Sequence, residues 1–330
     1  MDRQSVIEQL GQDAFTSEPS AERARNFVTC FRAHMLNHLL QSVRSAEEGL
    51  KIDLAPLRTR IERLDPNTRL SPAAFAGLTL LTQALASGNV TRVTDALQAL
   101  RTTTDAEWTD AEFRVESILT ERWEEGFVAS ARGEAIEGQA ADERIMRAVL
   151  DADLTPRSKP VDEALSILGQ VDPDLAAEFH EVVTRVKLFV GRGFLGLSSP
   201  AAFGAIFIRS PDTDPLPYYV EHLVHEGAHL YLNTLMALDP LLENPMETAS
   251  APLRPDPRPL FQVLHATFVL GRNVRFGRRL LADPARSAFA ASVELHEEKY
   301  AEGYASIRDA GRFTELGRQV FESLEEPREG

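Results

Sequence analysis

The chain has 330 residues, with 35 Lys and Arg against 50 Asp and Glu, a net charge of −15 and 43% hydrophobic residues. Such a surface repels nucleic-acid backbones, and with 19 Gly and 19 Pro spread along the chain the composition excludes disordered and fibrous classes. The single cysteine, Cys30, excludes an intrachain disulfide and a thiolate metal cluster; among Phe27, Val28 and Phe31 it reads as a core residue, which fits a reducing, cytoplasmic compartment.

The first residues carry acidic side chains and no apolar h-region, so no secretory signal is expected. The most apolar stretches, 75–85 and 203–208, fall well short of the ~20 residues of a membrane span. To about Leu150 apolar residues recur at helical spacing, as in Phe27, Phe31, Met35 and Leu39. Ser71-Pro72 reads as a helix start and Ser87-Gly88-Asn89 as its stop. The acidic stretch Glu134 to Glu143 and the proline-containing segment 152–160 suggest a boundary, dividing a helical N-terminal region (1–155) from a catalytic region (156–330). Residues 172–190 read as a helix, and Phe203 to Ile208 as the clearest strand. A helix is expected over 218–238, a proline-rich loop over 241–257, a second long helix over 258–281, and helix to the end with turns near Gly303 and Gly311. The expected fold is mainly α with a small β element.

The helix over 218–238 carries His225-Glu226-Gly227-Ala228-His229, an HExxH motif. Histidines at i and i+4 project from one helix face, where two imidazoles reach one divalent ion, and Glu226 stands beside them. Leu223, Val224, Leu230, Leu232 and Leu235 make this helix a buried one, in which histidines need a partner. A metal supplies one; hydrogen bonds to backbone are the alternative. His222, one turn earlier, reads as polar packing or a support for the ligands. The metzincin third histidine is excluded, because Leu232 and Leu235 occupy the positions its spacing requires. Glu243 and Glu247 are candidate third ligands but fall in the expected loop, whereas His265 lies on the following helix among Val263, Leu264, Phe268 and Val269, as a ligand or a core residue. Three neutral imidazoles suit Fe(II) and Zn(II) equally.

Phe203-Gly204-Ala205-Ile206, Leu223 to His229, Leu232-Asn233, Leu241-Leu242, and Arg254-Pro255-Asp256-Pro257-Arg258-Pro259-Leu260 leading to Leu264-His265 together resemble the HExxH peptide-modification family. The resemblance covers about 197–274, and the chain departs from the family's usual residues at Gly227, Ala228 and Leu253. It implies an α-ketoglutarate-dependent peptide β-hydroxylase with a zincin-like helix-strand metal site. Its partners would be a ribosomally made precursor peptide and O₂, with no nucleic acid and no membrane. On that reading His225, His229 and His265 hold Fe(II), and Arg258 or Arg254 clamps the distal carboxylate of α-ketoglutarate, unless they pair with Asp256. Asn233 contacts the cosubstrate or caps locally, and Glu226 orients a ligand. The competing function is a zinc metallopeptidase with Glu226 as general base; a third is a non-catalytic peptide-binding subunit. The N-terminal helices, with Trp108 and Trp123, are candidates for recognising a leader segment or for dimerisation.

Overall fold

The computed structural model describes residues 7–8, 11, 14–133, 145–212 and 215–325, and these are mainly helical with two small sheets. The acidic stretch 134–143 and most of the N-terminal segment lie outside the described residues. No described helix is long and apolar enough to cross a membrane. Contacts group the chain into two units that exchange segments along the sequence. One is built on Val28–Leu154 and Val183–Ser210, the other on Gln4–Phe27, Thr155–Val182 and Pro211–Gly330. The strands after Val183 therefore belong with the helices of the N-terminal half, and a single cut at 155 does not describe the grouping.

In the first unit the long α1 (Ala21–Leu50), which begins in the other unit's segment, is followed by α2 (Ala55–Glu62), α3 (Pro72–Ala86), α4 (Val90–Thr102) and the short α5 (Asp105–Thr109). Local chemistry sets their ends. Ser71 takes the N-cap position of α3 with Pro72 in the first turn, and Gly88 follows the last turn at φ +63°. The Asn89 side chain accepts from the Arg92 N–H, and Thr104 with Glu107 forms a capping box at α5. Cys30 is a buried free thiol, as its neighbours suggest.

The sheet holds more strand than the periodicity indicates. β1 (Arg114–Ser117) and β2 (Ile145–Ala148), separated in sequence by α6 (Trp123–Gly133), both pair with β3 (Arg185–Arg192). β3 also runs parallel to β5 (Ala205–Arg209), which in turn pairs antiparallel with β4 (Gly196–Ser198). The strand expected at 203–208 is thus β5, whereas the helix expected over 172–190 is corrected. α7 (Asp151–Val171) leads to α8 (Pro173–Val182), and the chain then becomes β3. The reason is visible at Arg185-Val186-Lys187-Leu188, where the alternation has period two, so charged and apolar side chains take opposite faces. Arg185 and Lys187 are fully buried cations; Lys187 Nζ lies 2.6 Å from the carboxylates of both Glu116 and Glu124. These carboxylates offset the desolvation of the cations. Met146, Phe189, Ala205 and Phe207 form a core with Phe127 and Trp123 packed against it. Trp108 is buried beneath the Arg60 guanidinium. A side chain at Gly191 would collide with the Ile145 carbonyl, so glycine permits the β2–β3 approach.

The proline-containing segment 152–160 is not a linker but the first half of α7, with Pro156 and Pro160 inside the helix. Each proline lacks one N–H, and the carbonyls left free lie in a mostly exposed stretch where water can satisfy them. In the second unit α9 (Pro215–Leu238) packs on α8 and on α10 (Leu260–Leu281), and α10 packs along α11 (Ala290–Ala310). The loop expected over 241–257 contains a hairpin, β6 (Thr248–Ala251) with β7 (Arg254–Pro259), followed by α10 itself; α12 (Glu315–Glu322) ends the described helices. Gly303 lies inside α11 rather than at a turn; its missing Cβ lets Thr267 and Pro252 approach, while Gly311 does cap the helix. Buried Arg272 of α10 pairs with buried Glu178 of α8, and its guanidinium lies over the rings of Tyr231 and Phe268.

Candidate metal centre

α9 carries His225 and His229 one turn apart, and α10 presents His265 across from them. His225 Nε2 lies 3.2 Å from His229 Nε2. On the other side of the same ring, His229 Nδ1 lies 3.4 Å from His265 Nδ1, and His265 Nε2 lies 2.9 Å from the Met236 sulfur. The three expected histidines are therefore brought together, but as a row with His229 in the middle. Among the described residues no three His, Cys, Asp or Glu side chains surround one common point.

The rings keep partial solvent exposure, yet the protein around them removes most of their water. That burial pushes His225 down to about 4, helped by repulsion from His222, and His265 down to about 4. His229 falls well below 6.5, through burial and then repulsion from the histidines on either side. All three are consequently neutral at pH 7, the state in which an imidazole has a lone pair to offer.

Glu226 is buried between the two motif histidines along the helix. Gly227 makes room for α8, because a Cβ there would lie 2.8 Å from Phe179 Cδ2. His222 does serve as polar packing: Nδ1 lies 2.9 Å from the Tyr218 carbonyl oxygen and the ring stacks on Tyr218. Asn233 is half-buried further along α9. Glu247 bonds to Asn244 and Arg312 instead of approaching the histidines as a ligand. Arg254 sits on β7 rather than in a loop, and Arg258 on the same strand rather than at the start of a helix; Arg254 is exposed and Arg258 half-buried with its guanidinium 3.8 Å from Asp256.

Four participants escaped the sequence reading. Asn273, buried on α10, brings its side-chain nitrogen to 3.5 Å from His225 Nδ1. Glu221 of α9 accepts from Ser292 at 2.9 Å and lies 3.2 Å from His296 Nε2, both on α11. Burial alone would raise the Glu221 carboxyl, but His296 and Ser292 outweigh it and hold the group at about 2. Eight-residue spacing from His265 to Asn273 along a buried helix face was the available signal. A cavity of about 360 Å³ lined by Arg272, Arg275, Arg279 and Tyr300 also borders α10, but none of the histidines lines it. In the first unit Trp123 borders a second cavity, of about 480 Å³, with Glu116, Glu121 and Arg185. No protein-family model matches this chain, and no curated protein matches it.

Proposed function

We propose that the chain is a divalent-metal enzyme, and specifically a cytoplasmic Fe(II) and α-ketoglutarate-dependent dioxygenase that hydroxylates a β-carbon in a ribosomally made precursor peptide. The observation that carries the metal is the 3.2 Å separation of two neutral Nε2 atoms on one helix face. Two nitrogens bound to one ion at 2.0–2.1 Å lie about 3 Å apart, so the spacing of the pair suits a shared ion. His265 is the third ligand; its ring must turn away from Met236 and from His229 Nδ1 to join them. The bound ion with its 2-oxo acid supplies O₂ activation strong enough to break an unactivated C–H bond.

The residues then divide the remaining work. Neutral His225, His229 and His265 bind the ion without adding charge, which leaves its positive charge to attract the 2-oxo acid. Arg258, with Arg254 as reserve, binds the distal carboxylate through two parallel charge-assisted bonds. Glu226 orients a ligand and Asn233 donates to the cosubstrate, while Leu223 and Val224 exclude water beside them. The zincin-like arrangement, the peptide and its β-carbon rest on the resemblance of the ordered motifs.

The test is incubation of the Fe(II)-loaded protein with a candidate precursor peptide, α-ketoglutarate and ¹⁸O₂. The expected product carries one ¹⁸O atom, with succinate formed in step, and the His225→Ala and His229→Ala proteins retain little iron. Peptide cleavage that persists without O₂ or α-ketoglutarate would assign the site to a zinc peptidase with Glu226 as general base.

A further inference from the structure

His225 is approached from two sides, by His229 at Nε2 and by Asn273 at Nδ1. Asn273 stands two turns beyond His265 on α10, so the same face that brings His265 to His229 brings Asn273 to His225. Asparagine is a poor helix former, and a buried amide requires partners. With Asn273 Nδ2–H donating to Nδ1, the single proton of neutral His225 must sit on Nε2, between the two motif histidines. His229 then accepts at Nε2 and donates from Nδ1 to His265, which donates from Nε2 towards Met236. Every ring donates once and accepts once. In that state the Nε2 atom of His225 that a metal requires is blocked by its own proton.

A half-turn of the Asn273 amide about Cβ–Cγ exchanges the nitrogen for the oxygen at the same place. Oδ1 then accepts from Nδ1–H of His225, and Nε2 is left with a bare lone pair. The proton has moved from one ring nitrogen to the other, and no net charge is released. We propose that Asn273 is a positioning residue that selects the metal-binding tautomer of His225, its amide turning from donor to acceptor when a divalent cation enters. This rests on the metal-binding reading above.

The experiment has two arms on the full chain. In the first, Zn(II) is titrated against a chromophoric chelator with wild type, Asn273→Leu, Asn273→Asp and His225→Ala. Loss of the amide in Asn273→Leu weakens Zn(II) binding by about 10- to 100-fold. Asn273→Asp, which can only accept, restores it to the wild-type level or better. In the second arm, ¹⁵N spectra of histidine-labelled, metal-free protein report which ring nitrogen of His225 carries the proton. Wild type shows Nε2–H and Asn273→Asp shows Nδ1–H. Wild-type Zn(II) affinity in both Asn273 variants, or Nε2–H persisting in Asn273→Asp, overturns the inference alone. Wild type that takes up no Zn(II) overturns the metal reading and this inference with it. If Asn273→Leu does not fold, the Asn273→Asp affinity and spectrum decide.

Discussion

At His229 both ring nitrogens are engaged, one with each neighbouring histidine, and that makes it the residue through which the other two communicate. The clamp proposed for the cosubstrate also belongs to single side chains. Arg258 is half-buried with its guanidinium 3.8 Å from Asp256, and a planar guanidinium is the group that binds a carboxylate through two parallel bonds. Arg258→Lys keeps the charge and loses the two parallel bonds. It is expected to raise the α-ketoglutarate concentration needed for half-maximal succinate formation by about tenfold, corresponding to about 1.4 kcal/mol. An unchanged requirement in both Arg258→Lys and Arg254→Lys would remove the hairpin from cosubstrate binding.

Two helices facing one another through histidines carry a penalty that depends on pH. In the unfolded chain these rings titrate near 6.5, whereas in the fold His225 and His265 titrate at about 4. Between those values the unfolded state binds protons that the α9–α10 pair refuses, so stability is full above pH 6.5 and falls as pH drops towards 4. Each histidine contributes at most about 1.4 kcal/mol per pH unit, reduced by its partial exposure. Urea midpoints of the metal-free protein between pH 7 and pH 4.5 should show this slope, and it should be shallower in His265→Leu. The packing of α9 on α8 gives a second expectation at the same scale. Gly227→Leu drives a side chain into Phe179, which is fully packed, and should cost about 1–3 kcal/mol in urea unfolding. Wild-type stability in that variant would mean that α8 gives way freely.

Over the whole molecule, the order of segments constrains how the chain can be divided. β1 and β2 come from before residue 155, but the strand that both pair with, β3, comes from after 183. A fragment ending at residue 155 would leave two short strands unpaired and Glu116 and Glu124 without Lys187. It is expected to be rapidly digested by protease and to lack a cooperative thermal transition. A sharp transition in that fragment would show that the helices before residue 110 suffice for a core of their own.

What the amino-acid sequence determined by itself is what neighbouring residues decide. The helical period of the N-terminal half, the Ser71-Pro72 start, the apolar run of β5 and the two histidines on one face of α9 all follow from spacing and backbone preference within one element. The tertiary structure decided what depends on residues far apart. A helical reading of 172–190 holds to Val182 and fails beyond it, because β3 is stabilised by β1, β2 and β5, none of them contiguous with it, and because four carboxylates from elsewhere in the chain, Asp110, Glu116, Glu121 and Glu124, gather around Arg185 and Lys187. The expected loop after 241 hid a hairpin because a strand needs a partner before its backbone groups are satisfied. At the site, spacing put His265 and Asn273 on one face of α10, but only the packing of α10 on α9 decided which ring nitrogen each one meets. Hydrogen-bond direction and the neutral state of the rings are properties of that packing, since both arise from groups that the chain brings together only when folded.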